Sequence, residues 1–306
     1  MPDHRVGNVD HFTPTTHSSV PASLDPRQVK LPPSFTVCII GASAGIGEYI
    51  AYAFARAGAK SIIIASRTVS DLQAVAARIR GINASVTVDV QQCDVASAAS
   101  VAALAVAVTN LYGRLDAVIP NAAYAPPITG MKMTENSPEL VQRAFDVNAM
   151  GTYHVAHYFV PLLLDSQNGA KLFLAVGSIA GCIRQGIIAN TGYTISKMAQ
   201  IRMVEYLGEQ YGRAEDGGLL ALAVHPGAVG TKMAEGNTPD AFLRYLTDGV
   251  DLCGAWLVWV ASSRAKGELQ WLTGRLVSAN WDVGELLEKK AQIEKGDLLK
   301  FELLTR

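Results

Sequence analysis

The stretch GSIAGCIRQGIIANTGYTISK, residues 177–197, decides which fold and which chemistry we expect of this chain. It follows an apolar run, residues 172–176, that is typical of a buried strand, and it ends in an amphipathic run that predicts a helix. Tyr193 and Lys197 are four residues apart, so on a helix they share one face. Ser178 comes just after the strand, where functional sites collect in parallel α/β sheets.

A phenol beside an ammonium group can work as an acid and a base. A free tyrosine has a pKa near 10, which is too high for proton loss at neutral pH, and a close cation lowers it. The hydroxyl of Ser178 could hold a substrate oxygen opposite Tyr193. A Tyr and a Lys at this spacing are also common on the surface of ordinary helices, so the rest of the chain has to decide between the two interpretations.

The composition excludes several classes of function. The chain has 306 residues, 49% of them hydrophobic, so it can bury a large core in one or two domains. Its 26 basic and 27 acidic residues give a net charge of -1, which predicts no binding to nucleic acid or to an anionic membrane. No apolar run approaches the roughly 18 residues of a membrane span.

The four cysteines indicate the compartment. Cys38, Cys93, Cys182 and Cys253 are far apart and form no Cys-x-x-Cys pair. Neither a zinc site nor a disulfide framework is indicated, so we expect no metal and a reducing, cytoplasmic setting.

Residues 1–33 form the first segment of the chain. They are rich in Pro, His, Ser and Thr, and they predict a flexible or surface-draped arm. The irregular spacing of His4, His11 and His17 favours a polar tail over a metal site. We expect a single domain over residues 34–284 and a charged tail over residues 285–306 that forms a helix and packs on a neighbour.

A glycine-rich turn follows the first predicted strand, residues 35–40. The turn reads Gly41-Ala-Ser-Ala-Gly45-Ile-Gly47 and runs into a helical pattern over residues 48–57. Glycines let the backbone approach a pyrophosphate, and the start of the helix presents free N–H groups to it. Strand, turn and helix together favour phosphate binding over a mere tight connection, with Ser43 and Ile46 as further contacts.

Arg67 follows the second predicted strand, residues 61–65. An acidic residue at this place would bind the hydroxyls of the adenosine ribose, whereas an Arg favours a 2′-phosphate. The chain has Ser66-Arg67-Thr68 and no acid here. The cofactor expected is NADP(H), with NAD(H) as the alternative, and an Arg that is merely solvated is also possible at a strand end.

Strands and helices then alternate along the chain. Further helices are predicted over residues 69–80, 96–112, 139–164, 194–211, 242–246 and 252–262, and further strands over 85–90, 117–120, 171–176, 219–224 and 272–277. This spacing indicates right-handed βαβ units. The fold class predicted is α/β, a single-domain Rossmann-type doubly wound parallel sheet of about seven strands with helices on both faces.

Taken together, the motifs from about residue 36 to residue 281 resemble the short-chain dehydrogenase/reductase family in its compact single-domain form, and fungal members with a similar polar arm. The matching motifs are the glycine turn with Gly41, Gly45 and Gly47; Asp94 with Val95; Asn121-Ala122-Ala123; Asn148; Ser178, Tyr193 and Lys197; and Pro226, Gly227, Val229 and Thr231. Two features depart from the family pattern: Ala123 replaces a Gly, and Ser178 and Tyr193 are 15 residues apart, about two more than expected.

The resemblance implies reversible hydride transfer between a nicotinamide and a carbonyl or secondary alcohol carbon. Tyr193 would be the acid in reduction and the base in oxidation. Lys197 would lower its pKa and bind the nicotinamide ribose, Ser178 would hold the substrate oxygen, and Asn148 would hold a water of a proton relay. The remaining motif residues would contact the cofactor.

Two rival functions stay open. The chain could keep the cofactor and catalyse an epimerisation or a dehydration, or it could be a non-catalytic dinucleotide-binding regulatory protein, since a fold does not determine a function. The resemblance also implies that the helices over residues 139–164 and 194–211 pair across a two-fold axis, so a homodimer or homotetramer is expected.

Two segments should form the wall of the substrate pocket, because they leave the sheet at its carboxyl edge. Their apolar residues are Cys182, Ile183, Ile187 and Ile188 in the first segment and Met233, Phe242, Leu243 and Tyr245 in the second. Arg184, Lys232 and Arg244 are their only groups for an anion. The pattern favours a lipophilic or aromatic small molecule, with residues 231–249 as a lid; the alternative is that these residues only pack the lid onto the body.

Overall fold

A computed structural model describes residues 11–128, 132–183 and 189–303, and it is built around one parallel sheet. The seven strands lie in the order β3-β2-β1-β4-β5-β6-β7. Their bounds are β1 Thr36–Ile40, β2 Ser61–Ser66, β3 Thr87–Gln92, β4 Ala117–Pro120, β5 Leu172–Val176, β6 Leu220–His225 and β7 Arg275–Ser278. The predicted α/β class and the parallel sheet of seven strands are confirmed.

Helices cover both faces of this sheet. Their bounds are α1 Gly45–Arg56, α2 Val69–Ile82, α3 Ala98–Tyr112, α4 Pro138–Ala144, α5 Gly151–Asp165, α6 Thr191–Tyr211, α7 Asp240–Leu243, α8 Leu252–Ala265, α9 Val283–Glu288 and α10 Lys290–Gly296. Helices α1, α2 and α8 pack on one face, and α3, α5 and α6 pack on the other.

The central strands β1, β4 and β5 are largely apolar because each of their faces meets a helix layer, whereas the edge strand β3 carries Asp89, Gln91 and Gln92. In β1, Val37 and Ile39 belong to one hydrophobic cluster, and Cys38 and Ile40 belong to the other. Successive side chains of a strand point to opposite faces, so a strand buried on both faces has no polar alternation. Strands β2 and β3 are added on one side of β1, and strands β4 to β7 are added on the other side. This change in the order of the strands, between β1 and β4, leaves a crevice at the carboxyl edge of the sheet.

Several predicted boundaries differ from the structure. The helix predicted over residues 139–164 comprises α4, a π-helical turn at Phe145–Met150 and α5. The last strand begins at Arg275 rather than at residue 272, because a 3₁₀ turn at Gln270–Leu272 and Gly274, with a φ of +75°, precede it. The third strand likewise lies two residues later than predicted, at Thr87–Gln92.

The two terminal segments lie on the body of the protein. In the arm, Thr13 and Leu24 are fully buried. In the tail, Leu286 and Ile293 are buried in the chain's own core. His4 and the other residues before position 11, and residues 304–306, lie outside the described part of the chain.

No helix in the described ranges is long and apolar enough to cross a bilayer.

Candidate active site

Ser178 lies where β5 ends and a short 3₁₀ turn, Ile179–Cys182, begins. Its side chain is almost fully buried, and its Oγ accepts a hydrogen bond from the N–H of Ala180 at 3.1 Å. The turn packs closely on α6, since a Cβ on Gly181 would lie 2.8 Å from the main-chain nitrogen of Met198. This contact holds Ser178 against the helix that carries Tyr193 and Lys197.

Helix α6 brings Tyr193 and Lys197 to the same cavity as Ser178. The helix is capped by Asn190, whose side chain accepts a hydrogen bond from the N–H of Gly192 at 2.8 Å. The Nζ atom of Lys197 lies 5.9 Å from the ring centre of Tyr193. Three of the four predicted catalytic side chains, those of Ser178, Tyr193 and Lys197, line one cavity of about 710 Å³.

Lys197 is among the most buried polar residues of the chain, with 2% of its surface exposed. Its Nζ donates to the main-chain oxygen of Val176 and to Oε1 of Gln200, each at 2.9 Å. Burial disfavours the charged form and lowers the pKa of Lys197 to about 7. Two polar acceptors therefore orient an ammonium group that has little contact with water.

The pKa of the Tyr193 phenol is shifted in the opposite direction. Removal from water raises its pKa above the ordinary value, and an interaction with the side chain of Ser178 lowers it in part. A neutral phenol is therefore the resting form at neutral pH, which suits a proton donor. A positive charge that arrived nearby would bring the pKa down again.

Asn148 is buried in the π-helical turn and does not line the cavity. Its Oδ1 accepts from the N–H of Tyr124 at 2.8 Å, and its Nδ2 donates to the oxygen of Tyr124 and to Oγ of Ser196, each at 2.9 Å. π-Helical turns are rare and are often found at functional sites. This one ties the loop after β4 to helix α6.

Sequence reasoning missed Gln200, which links Lys197 to Asn148. Its Oε1 accepts from Lys197, and its Nε2 donates to Oγ1 of Thr152 at 2.8 Å. The hydroxyl of Thr152 in turn donates to the main-chain oxygen of Asn148 at 2.8 Å. The signal available in the sequence is a long polar side chain three residues after the Lys on the same helix.

His225 is a second cavity residue that sequence reasoning did not single out. It ends β6, lines the cavity, and its Nδ1 accepts from the N–H of Ile179 at 3.4 Å. Burial and the charge of Lys197 lower the pKa of His225 to about 3. The ring is neutral at any ordinary pH, so it supports the turn after Ser178 without adding charge.

A second cavity, of about 1190 Å³, lies at the glycine-rich turn. The predicted cofactor residues that line it are Gly41, Ser43, Gly45, Ile46, Arg67, Asp94, Val95, Asn121, Ala122 and Thr231. Ala44, which precedes α1, provides no side-chain acceptor for the first N–H groups of that helix. A cradle of backbone donors at a helix N-terminus fits a pyrophosphate group.

The glycines of the turn have different roles. Gly41 has a φ of +95°, and a Cβ there would lie 2.5 Å from the main-chain nitrogen of Ala122. Gly47 does not line the cavity, and a Cβ on it would lie 2.1 Å from the oxygen of Gly41. Gly47 is therefore needed for packing of the turn on itself, which the side chain of Asn121 strengthens by donating to the same oxygen at 2.7 Å.

Arg67 and Asp94 lie at the far end of this cavity. Arg67 is exposed, and its guanidinium has no hydrogen bond or ion pair with any residue in the described ranges. Asp94 accepts from the N–H of Ala96 at 3.1 Å and closes the loop after β3. The arginine is therefore available for a ligand anion.

The two cavities are adjacent. Both are lined by Ile46, Asn121, Ala123, Thr231 and Met233. The other predicted cofactor residues, Pro226, Gly227 and Val229, line the first cavity together with Tyr193 and Lys197. The glycine-rich turn and the Ser–Tyr–Lys group thus line adjacent cavities at the carboxyl edge of the sheet.

The predicted pocket wall agrees with the structure in part. Ile183, Met233, Phe242 and Tyr245 line the first cavity, as does Arg244, whose guanidinium donates to the hydroxyl of Tyr245 at 2.9 Å. Cys182 and Leu243 do not: Cys182 packs on the hydrophobic core, and Leu243 points outward with 44% of its surface exposed.

Three predicted wall residues, Arg184, Ile187 and Ile188, lie outside the described residues. Lys232 lines the second cavity instead of the first. Within the ranges that the structure covers, no group of three or more His, Cys, Asp or Glu side chains could hold a metal ion.

Comparison with known proteins identifies the family. The family model for short chain dehydrogenases matches residues 35–241, a range that includes the glycine-rich turn and the Ser–Tyr–Lys group. The chain belongs to the short-chain dehydrogenase/reductase family. A curated relative, the short chain dehydrogenase pgmD of Aspergillus terreus, is 36% identical over 96% of this chain and 94% of its own length.

Solved structures of other short-chain dehydrogenases share this fold. A short-chain type dehydrogenase/reductase from Mycobacterium marinum has a TM-score of 0.71 at 23% identity, over 86% of this chain and 99% of its own. A short chain dehydrogenase from Shigella flexneri 2a, complexed with NADP, has a TM-score of 0.69 at 25% identity, over 82% of this chain and 99% of its own. The family consists of oxidoreductases that bind a nicotinamide dinucleotide and act on small molecules.

Proposed function

We propose that this short-chain dehydrogenase transfers a hydride between NADP(H) and a carbonyl or secondary alcohol carbon of a small molecule. The observation that carries the proposal is that the two cavities share lining residues, with Ser178, Tyr193 and Lys197 in one and the glycine-rich turn in the other. A substrate beside Tyr193 and a dinucleotide along the turn would then meet at the residues that both cavities share.

The preference for NADP(H) over NAD(H) is supported by Arg67. Its guanidinium lines the cavity and has no partner in the described ranges, so it can make a charge-assisted hydrogen bond to a 2′-phosphate. The Shigella flexneri 2a relative was solved with NADP, which supports the same choice.

In the proposed mechanism, Tyr193 gives its proton to the carbonyl oxygen during reduction and takes one back from the alcohol during oxidation. Ser178 donates a hydrogen bond to the same oxygen and stabilises the negative charge that develops on it. When bound, the nicotinamide supplies or accepts the hydride. A positioned acid/base group of this kind typically contributes about 10²- to 10⁴-fold in rate.

Lys197 makes proton loss from Tyr193 possible during oxidation. Its ammonium group favours the tyrosinate, and contacts to Val176 and Gln200 hold it in place. A water-mediated relay from Lys197 remains part of the proposal. The side chain of Asn148 makes hydrogen bonds to Tyr124 and Ser196. We therefore assign to its main-chain oxygen the role of holding the water of that relay.

The proposed substrate is a lipophilic or aromatic small molecule. Apolar side chains of Ile183, Met233 and Phe242 form part of the cavity wall, and most ligand sites of this kind combine apolar walls with a few polar groups. The guanidinium of Arg244 already donates a hydrogen bond to the hydroxyl of Tyr245. It is therefore less available to bind a carboxylate, which favours a neutral substrate over a small acid. The four cysteines are free thiols, and the proposed location is the cytoplasm.

The test is NADPH consumption at 340 nm with a series of ketones, set beside chemical analysis of the products. The expected result is a secondary alcohol formed in equal amount to the NADPH consumed, with better catalytic efficiency for bicyclic ketones than for sugars or small hydrophilic ketones. Product without net NADPH consumption would indicate epimerisation or dehydration. NADPH binding without turnover of any ketone would favour a regulatory protein.

A further inference from the structure

The N-terminal arm follows the edge of the sheet beside the candidate site. Thr16 forms an antiparallel bridge with Trp281, just after β7, and the ring centres of Phe12 and Trp281 are 5.0 Å apart. Thr13 is fully buried beneath this contact. We call residues 11–20 the strap. They lie before the range that the family model matches, so the motifs of the family do not account for them.

Side chains anchor the strap to the start of α9. The main-chain N–H and the hydroxyl of Thr15 both donate to the carboxylate of Glu285, at 2.8 and 2.6 Å. The Nε2 atom of His17 lies 3.0 Å from Oδ2 of Asp282. Two charged acceptors on α9 and its cap therefore hold neighbouring residues of the strap.

Asn280 adds a paired contact to the main chain of the strap. The N–H of His17 donates to the oxygen of Asn280 at 2.7 Å, and Nδ2 of Asn280 donates to the oxygen of His17 at 2.9 Å. Asn280 also lines the cavity that contains Tyr193. The anchor and the cavity wall are therefore parts of the same structure.

The strap also contacts the end of the lid, residues 231–249. The N–H of Gly249 donates to the oxygen of Ser18 at 2.6 Å. Its neighbour Asp248 accepts from the N–H of Ala228 at 2.6 Å, beside Pro226 and Gly227. The contacts run without interruption from the strap, through the end of the lid, to the loop after β6.

Two side chains of the strap line the candidate substrate cavity. His11 and Thr16 share its wall with Ser178, Tyr193 and Phe242. Both strap residues are exposed, so they lie at the mouth of the cavity and not in its interior. A substrate that extended from the Ser–Tyr–Lys group to the mouth of the cavity would contact the strap.

We propose that the strap is a specificity-determining wall of the substrate cavity and an anchor for the C-terminal end of the lid. The proposal rests on the proposed function, because it assumes that the cavity at Tyr193 binds the substrate. The strap limits the size of the substrate group that points from the carbonyl toward the mouth of the cavity. Its contact with Gly249 fixes the position of the end of the lid relative to the loop after β6. Small substrates that stay near Tyr193 do not reach it.

The first test compares Thr16→Trp with Ser19→Trp, using cyclohexanone and 2-tetralone as small and bicyclic ketones. Ser19 is exposed on the same strap and does not line the cavity, so it controls for a new indole on this surface. Thr16→Trp should raise KM for 2-tetralone by roughly tenfold and leave cyclohexanone within about twofold, because one bulky group at a pocket wall changes discrimination by this amount. Equal effects of the two variants on KM for both ketones would contradict the proposal that the strap forms a wall of the substrate cavity.

The second test needs no substrate, so it stands even if no ketone is turned over and the proposed function is wrong. The variant Thr15→Ala with His17→Ala removes the side-chain contacts to Glu285 and Asp282 and leaves the main-chain contact from Thr15 to Glu285. Hydrogen–deuterium exchange of the ligand-free protein should then increase by about fivefold or more in the peptide that contains Gly249, with no change in β1, because a strap with fewer anchors opens more often and protects that amide less. Unchanged exchange at Gly249 would contradict the proposal that the strap anchors the end of the lid.

Discussion

At the scale of single residues, the buried ammonium of Lys197 is the feature on which the chemistry depends. Burial alone would neutralise it near pH 7, and the contacts to Val176 and Gln200 favour the charged form. Tyr193, a few ångströms away, has a raised pKa for the same physical reason. Because desolvation pushes a phenol and an amine in opposite directions, each is closer to its neutral form at neutral pH than it would be in water.

The first prediction concerns Tyr193. Tyr193→Phe keeps the ring and removes only the proton donor, so turnover should fall by at least roughly 10²-fold while NADPH affinity stays nearly unchanged. Tyr206→Phe is the matched control, since Tyr206 is on the same helix and is exposed. Steady-state rates and NADPH fluorescence titration would measure both. Activity of Tyr193→Phe above about a tenth of the wild type would contradict the assigned role.

The second prediction concerns pH and the stability of the ligand-free protein. The folded-state pKa of Lys197 is depressed to about 7, whereas in the unfolded chain it returns to its ordinary value of 10.5. Between these two pH values the unfolded state binds more protons, so the contribution of Lys197 to the free energy of unfolding rises with pH. Relative to Lys197→Met, the wild type should gain up to about 1.4 kcal/mol per pH unit above pH 7.

Urea unfolding at pH 7, 8 and 9, at one protein concentration, would measure this difference. Lys60→Met is the control, because Lys60 is exposed and its variant should follow the wild type at every pH. A gap between the wild type and Lys197→Met that does not change with pH would show that burial does not shift the titration of Lys197.

At the scale of elements, the parallel strands determine where the residues of the site lie. Ser178 follows β5, His225 ends β6, and the glycine-rich turn follows β1. All strands run the same way, so their carboxyl ends meet at one edge and bring these residues together from distant parts of the chain. The π-helical turn between α4 and α5 adds the contact from Asn148 to Ser196 on α6.

The third prediction concerns the end of β2. Arg67→Asp removes the proposed contact to the 2′-phosphate and adds repulsion, so catalytic efficiency with NADPH should fall by about 10- to 100-fold and efficiency with NADH should fall much less. Lys60→Asp, at the other end of β2, is the charge-matched control. Steady-state kinetics with both cofactors would measure the change. A wild type that uses NADH as well as NADPH would contradict this role of Arg67.

At the scale of the whole molecule, the neighbouring helices α5 and α6 carry several exposed apolar side chains. Tyr153 on α5 and Met198 and Tyr206 on α6 have 50%, 45% and 55% of their surfaces exposed, and Met150 lies next to α5 with 41% exposed. Apolar groups that cluster on a surface are often covered by a partner. We propose that this α5–α6 surface pairs with a second copy of the chain across a two-fold axis.

The fourth prediction is therefore a homodimer or homotetramer at micromolar concentration. Light scattering should give a multiple of the 32.5 kDa chain mass. The double variant Tyr153→Glu with Tyr206→Glu should shift the particle toward the monomer, because it places charges in the proposed interface. Leu111→Glu, on the exposed side of α3, should leave the mass unchanged. A 32.5 kDa particle for the wild type would contradict the proposal.

The sequence alone determined the features that depend on neighbours along the chain. The strand–turn–helix at Gly41 and the shared helix face of Tyr193 and Lys197 follow from the spacing of their residues, because strand and helix periods are local properties. The alternation of these units also determined the parallel sheet, since βαβ connections allow few other arrangements. The motif resemblance pointed to the family that comparison then confirmed.

Only the tertiary structure decided how distant parts of the chain meet. Gln200 reaches Asn148 through Thr152, which is 48 residues away, and Thr15 of the strap binds Glu285, which is 270 residues away. Contacts over such separations leave no period or spacing in a single sequence, so the sequence predicts only a flexible or surface-draped arm and none of its partners. The close packing of Gly47 on Gly41 is likewise a property of the structure, because the approach of two backbones depends on the folded geometry of the turn.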